Sequence, residues 1–136
     1  MAEQENLTNA PQGKSLESEP RIEAPADAYG VEGCCVRQFW AVVETDGRLV
    51  RGRNVWRARR LRTGVYEVVF TGDVSNGVFT ATIGRPGIYT EPAGMISVAL
   101  RCCLSGQREN KGVWVDTHDP DGTRSDRAFH LMVHTQ

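Results

Sequence analysis

Seven arginines, Arg48, Arg51, Arg53, Arg57, Arg59, Arg60 and Arg62, fall within fifteen residues, with no acid among them. Guanidinium groups pair bidentately with phosphate and sulfate and lie flat on aromatic rings. With Trp56 interleaved, this ribbon has the chemistry to bind nucleic acid or another polyanion. On a regular strand Arg57 and Arg59 share one face, and Trp56 and Arg60 the other. The competing reading is a solvated face, or arginines neutralised by Glu44, Glu67 and Asp116 on neighbouring strands or by the acidic N-terminal segment. An overall formal charge of −1 is far from that of a dedicated nucleic-acid binder.

The four cysteines come as two adjacent pairs, Cys34-Cys35 and Cys102-Cys103. Neighbours on a strand point to opposite faces, so one of each pair is expected inward and one outward. Three readings stand open: free thiols, a disulfide between the two pairs, or zinc ligation. The last has the least support, because adjacent cysteines lack the usual zinc-ligand spacing. A cysteine nucleophile with a histidine base would be a third kind of function, but no nucleophile elbow or orienting group accompanies it. His130 and His134 share a strand face about 13 Å apart at a rise of about 3.3 Å per residue, too far to hold one metal. The run from His118 to Gly122 contains Asp119 and Asp121. It carries part of a calcium-loop pattern but lacks its distal glutamate, and reads more simply as a turn.

The elements that must carry these residues are strands. Tyr66, Val68 and Phe70 alternate along one run; Phe79, Ala81 and Ile83 alternate along the next. The polar TGDVSNG between them reads as the turn of a hairpin. Similar runs fall at 36–45, 48–51, 55–61, 95–103, 113–117 and 128–134. Asp-Gly and other turn residues separate them, and no amphipathic helix appears. Phe39, Ala41 and Val43, and Phe129, Leu131 and Val133, form core faces. Trp40, Trp56 and Trp114 fall on the opposite sides of their strands and are candidate interface residues. The loop over 84–94, GRPGIYTEPAG, places Tyr89 at its tip as a candidate binding residue.

Regular strand spacing predicts a single all-β domain over 34–136. It would be a β-sandwich or jelly-roll-like barrel of about eight antiparallel strands. Residues 1–33 carry a net charge of −5 against +4 for the remainder, with few large apolar side chains and three prolines. That composition predicts a disordered acidic arm. It has neither the basic start nor the apolar stretch of a signal peptide, and no apolar run reaches membrane-span length. The expectation is a cytoplasmic protein or one exported without a signal peptide.

The body over 38–135 resembles small uncharacterised bacterial all-β proteins. The likeness is carried by FWAVVETDGRLVRG, RTGVYEVVF, GVFTATIG, GVWVDTHDPDG and DRAFHLMVH. The GVYEVVF strand also resembles head domains of phage tail fibres. These likenesses imply a compact β-domain without catalytic residues, and the fibre-head likeness implies a trimer. The expectation is a non-catalytic assembly or binding module, self-associating as a homo-oligomer that covers its sheet edges and outward tryptophans. Polyanion binding through Arg48–Arg62 is the alternative. No cofactor, metal or small-molecule substrate is indicated.

Overall fold

The computed structural model describes residues 36–136. The acidic segment over 1–33, Cys34 and Cys35 lie outside the described residues. Eight strands follow in order: β1 (Arg37–Val43), β2 (Leu49–Arg53), β3 (Val55–Arg62), β4 (Val65–Phe70), β5 (Val78–Ile83), β6 (Met95–Leu100), β7 (Gly112–His118) and β8 (Phe129–Thr135). They form two four-stranded antiparallel sheets, ordered β2-β1-β8-β5 and β3-β4-β7-β6. The sheets stay separate, so of the two expected architectures the sandwich is the one formed. No helix among the described residues is long and apolar enough to cross a membrane.

Period-two alternation builds the core. Phe39, Ala41 and Val43 from β1 and Phe129, Leu131 and Val133 from β8 face Tyr66, Val68 and Phe70 from β4 and Val113 and Val115 from β7. Phe39 meets Phe70 edge-on at 5.5 Å, and Tyr66 meets Phe129 at 5.1 Å. Such pairs contribute about 0.5–1.5 kcal/mol each beyond their buried area. The Tyr66 hydroxyl donates to the Thr45 carbonyl (2.8 Å). Burial, aided by the nearby Asp126 charge, pushes that phenol well above the ordinary tyrosine range.

The expected hairpin between the Tyr66 and Phe79 strands does not form. β4 pairs with β3 and β7, whereas β5 pairs with β8 in the other sheet. The intervening TGDVSNG is a crossover rather than a turn. Its Val74 is buried in the core, with its amide donating to the Asn110 carbonyl. Local turn chemistry cannot distinguish a tight reversal from a short bridge between sheets.

The β1–β2 connection is the Asp-Gly hairpin expected. Gly47 sits at φ +91°, and a Cβ there would come 2.2 Å from the Arg60 amide nitrogen. At the other edge of β2 the chain passes through Asn54, at φ +61°, and enters the second sheet as β3. β6 ends at Leu100, three residues short of the expected 103, because Cys102 and Cys103 are bonded to each other. Cys103 takes the left-handed conformation at φ +70°, which an extended strand excludes.

Candidate functional site

The outer face of the second sheet collects the chemistry. β4 is buried on both faces, so Val65, Glu67 and Val69 have cover on the side away from the core. Across the ladder, Arg59 on β3 opposes Glu67, which opposes Trp114 on β7, which opposes Ala99 on β6. One row along, Arg57 opposes Val69 and Val69 opposes Gly112, while the Arg101 amide bonds to the Gly112 carbonyl. On the other side, Arg62 opposes Val65, then come Asp116 and Ser97. Gly112 on β7 and Ser97 and Ala99 on β6 are small, which leaves room on that side for long side chains to lie across the sheet.

Glu67 is 0% exposed and accepts from three guanidinium groups. Arg57 Nη2 (3.2 Å) and Arg59 Nε (2.9 Å) donate to Oε1, and Arg101 Nε (2.9 Å) donates to Oε2. Burial alone would raise the carboxyl's pKa. The hydrogen bonds and charges of Arg101 and Arg59 outweigh it and hold the group below the usual carboxylate range. Arg57 Nε is buried with no hydrogen-bond partner among the described residues.

Two tryptophans frame this cluster. The guanidinium carbons of Arg57 and Arg108 lie 4.6 and 3.4 Å from the Trp56 ring centre. Those of Arg101 and Arg62 lie 5.1 and 5.6 Å from Trp114. Trp114 Nε1 donates to Asp116 Oδ1 (2.8 Å), which also accepts from Arg124 Nη1 (3.0 Å). On this face Arg57, Arg59, Arg62, Arg101, Arg108 and Arg124 stand against Glu67 and Asp116, a formal excess of four positive charges. Guanidinium groups stack on both rings, although Trp56 stays 44% exposed, and guanidinium N–H groups beside aromatic rings suit oxyanions.

The Arg48–Arg62 ribbon is not one surface. Arg48, Arg51 and Arg53 belong to the first sheet or its hairpin. Arg48 reaches Glu44 at 4.0 Å, Arg51 donates to the Pro86 carbonyl (3.3 Å), and Arg53 is exposed. Arg57, Arg59 and Arg62 lie on the second sheet. The Asn54 corner divides the two groups. Arg60 opposes the core residue Tyr66 and pairs with Asp126 (3.1 and 3.0 Å), whose other bond is to the Gly64 amide. Strict alternation also fails at Trp56. A register shift between Val55 and Arg57 sets Trp56 beside Arg57, where the two stack, instead of on the opposite face. Arg101, Arg108 and Arg124 escaped the sequence reading because they are scattered singly through later loops and one turn.

The first sheet presents a different outer face. Trp40, Val42, Thr80, Thr82, His130 and Met132 line a shallow, mostly apolar groove of about 320 Å³. Val78 beside it is 69% exposed. Trp40 is therefore on the opposite side of the sandwich from Trp56 and Trp114.

The 84–94 loop is pinned from behind. Glu91 accepts from Arg85 Nε (2.8 Å) and from the Ala128 amide (2.5 Å). Arg127 donates to the Pro92 and Ala93 carbonyls (both 3.1 Å), to Ser125 Oγ (2.7 Å) and to Asp119 (2.5 Å). Ile88 and Tyr89 project from this frame at 90% and 72% exposure. Asp119 and Asp121 build a turn: Asp119 exchanges bonds with Gly122 and Thr123, and Asp121 accepts from the Thr123 amide. Both carboxylates are thus engaged in loop structure. The expected inward/outward split of Cys102 and Cys103 is overturned, since both are exposed in the loop after β6 and joined to each other rather than to another pair. Comparison of the chain with family models, curated proteins and solved structures finds no match to any of them.

Proposed function

We propose that this domain is a non-catalytic binding module whose ligand is a polyanion held on the outer face of the second sheet. The observation that carries the reading is Glu67, which orients three arginines between two tryptophans while neutralising only one of their charges. Holding guanidinium groups in place before the ligand arrives removes part of the entropy cost of binding. Arginine stacks on both rings, which favours recognition by N–H edges meeting sulfate or phosphate oxygens, with the exposed part of Trp56 as the place where a base could stack.

The test uses arginines outside the Glu67 cluster. Arg62→Ala with Arg108→Ala should leave the fold intact and lower the slope of log affinity against log salt by about two, roughly one per lost contact. Binding of the full chain to heparin and to single- and double-stranded oligonucleotides, across a salt series, reads this out. Equal retention of parent and variant would remove the reading. Preference for heparin over both oligonucleotides would identify sulfate spacing as the ligand feature.

A second reading is self-association through the first sheet. The exposure of Val78 and Met132 beside the Trp40 groove supports it. A symmetric pair burying this patch would be salt-resistant, because the contact is apolar.

A further inference from the structure

The link between Arg101 and Leu104 is four residues long, and both ends rest on the same glycine. The Arg101 amide donates to the Gly112 carbonyl (2.8 Å). A Cβ on Gly112 would come 2.7 Å from Leu104 Cδ1 and 3.0 Å from Arg101 Cβ, so the missing side chain is what lets both lie there. Between them Cys102 and Cys103 close a ring through their sulfurs. That ring spans Cys103 in the left-handed region, at φ +70°, which an unconstrained cysteine rarely adopts. Both cysteines are exposed, and Arg101 reaches directly into the Glu67 cluster and onto Trp114.

We propose that the Cys102–Cys103 disulfide is a redox latch on the cationic face, opened by a dithiol reductant and closed by its oxidised form. In the opening step a reductant thiolate attacks one cysteine sulfur. The S–S bond breaks and a mixed disulfide forms, while the other cysteine leaves as thiolate and takes a proton. The second reductant thiol, as thiolate, then attacks the reductant's own sulfur in the mixed disulfide and releases the cysteine bonded there, which also takes a proton. The reductant leaves as a disulfide, oxidised by two electrons, and the protein carries two thiols. Without the ring, Cys103 leaves the left-handed conformation, Leu104 comes off Gly112, and Arg101 loses the anchor that aims it at Glu67. Exposure of both cysteines gives the reductant access. The effect on ligand binding rests on the polyanion reading above; the latch itself does not.

The experiment uses the full chain carrying Cys34→Ser and Cys35→Ser, so that every thiol counted belongs to this pair. Oxidised protein should take up no alkylating agent, and protein treated with dithiothreitol should take up two equivalents. Amide hydrogen exchange at Arg101 should quicken on reduction, and the heparin salt slope should fall by about one, the loss of one arginine contact. A Cys102→Ser, Cys103→Ser double variant should match the reduced form with or without dithiothreitol. Arg101→Ala should abolish the redox difference in salt slope. Two free thiols in the protein as purified under air would overturn the proposal, as would unchanged exchange at Arg101 after full reduction. Failure of both redox forms to bind heparin would remove the polyanion reading, and the exchange measurement would still decide the latch.

Discussion

Glu67 is where residue-scale chemistry and stability meet. Its carboxylate is fully covered, but the arginines it holds are 40%, 47% and 24% exposed in their side chains. Water can therefore take over much of what they lose if the carboxylate is removed. Glu67→Gln should cost about 1–3 kcal/mol in urea denaturation, less than the roughly 3–5 kcal/mol of breaking a fully buried pair. The pH dependence has a definite sign. The folded pKa lies below the ordinary value of 4.5, so the unfolded chain takes up this proton first as pH falls. The stabilisation is fully present above that value and fades as pH drops through the folded pKa. The stability gap between parent and Glu67→Gln should thus narrow on acidification below pH 4.5, which denaturation midpoints along a pH series would check. The density of arginine was legible in the sequence, and Glu67 was visible as a partner on a neighbouring strand. Which arginines share it was not, because Arg101 arrives across β7 through a register that no local pattern encodes.

At the scale of elements, strand alternation carried most of the information. The core faces of β1, β4 and β8 fall where period two puts them. What alternation could not convey is where it breaks: the shift at Trp56, the corner at Asn54, and the early end of β6 at the cysteine ring. Each break changes a face, so the Arg48–Arg62 run divides between sheets and Trp56 joins Arg57. The loop over 84–94 depends instead on side-chain polar bonds, part-buried at Glu91 and Arg127. Arg127, with its side chain 11% exposed, ties two loop carbonyls to Asp119 and Ser125. Arg127→Ala should destabilise the domain by about 2–3 kcal/mol, as loss of hydrogen bonds to a charged group does. Amide exchange should rise in 84–94 and 119–127, with the β1–β8 ladder still protected. If exchange rises uniformly, the loop has no separate frame.

At the scale of the molecule, strand number and class were legible, but sheet order was not. Turn residues mark where the chain bends without saying into which sheet it goes, and the TGDVSNG bridge is the clearest instance. The exposed patch of the first sheet bears on the assembled state. Light scattering after gel filtration should give a mass above one chain at low and high salt alike, and Met132→Asp should reduce it to one. A monomeric parent at every concentration tested would end the self-association reading. The outer faces of the two sheets also have a joint consequence. The apolar groove and the arginine face point in opposite directions from one thin slab. A pair joined groove to groove would turn its two cationic faces away from each other. Such a pair could not wrap a single flexible chain with both faces at once unless that chain looped around it. It would more readily hold two chains apart, acting as a cross-link. Mixed with a long polyanion, the dimer should then gel or cloud the solution near charge balance, while a Met132→Asp monomer decorates the same polymer and leaves it clear.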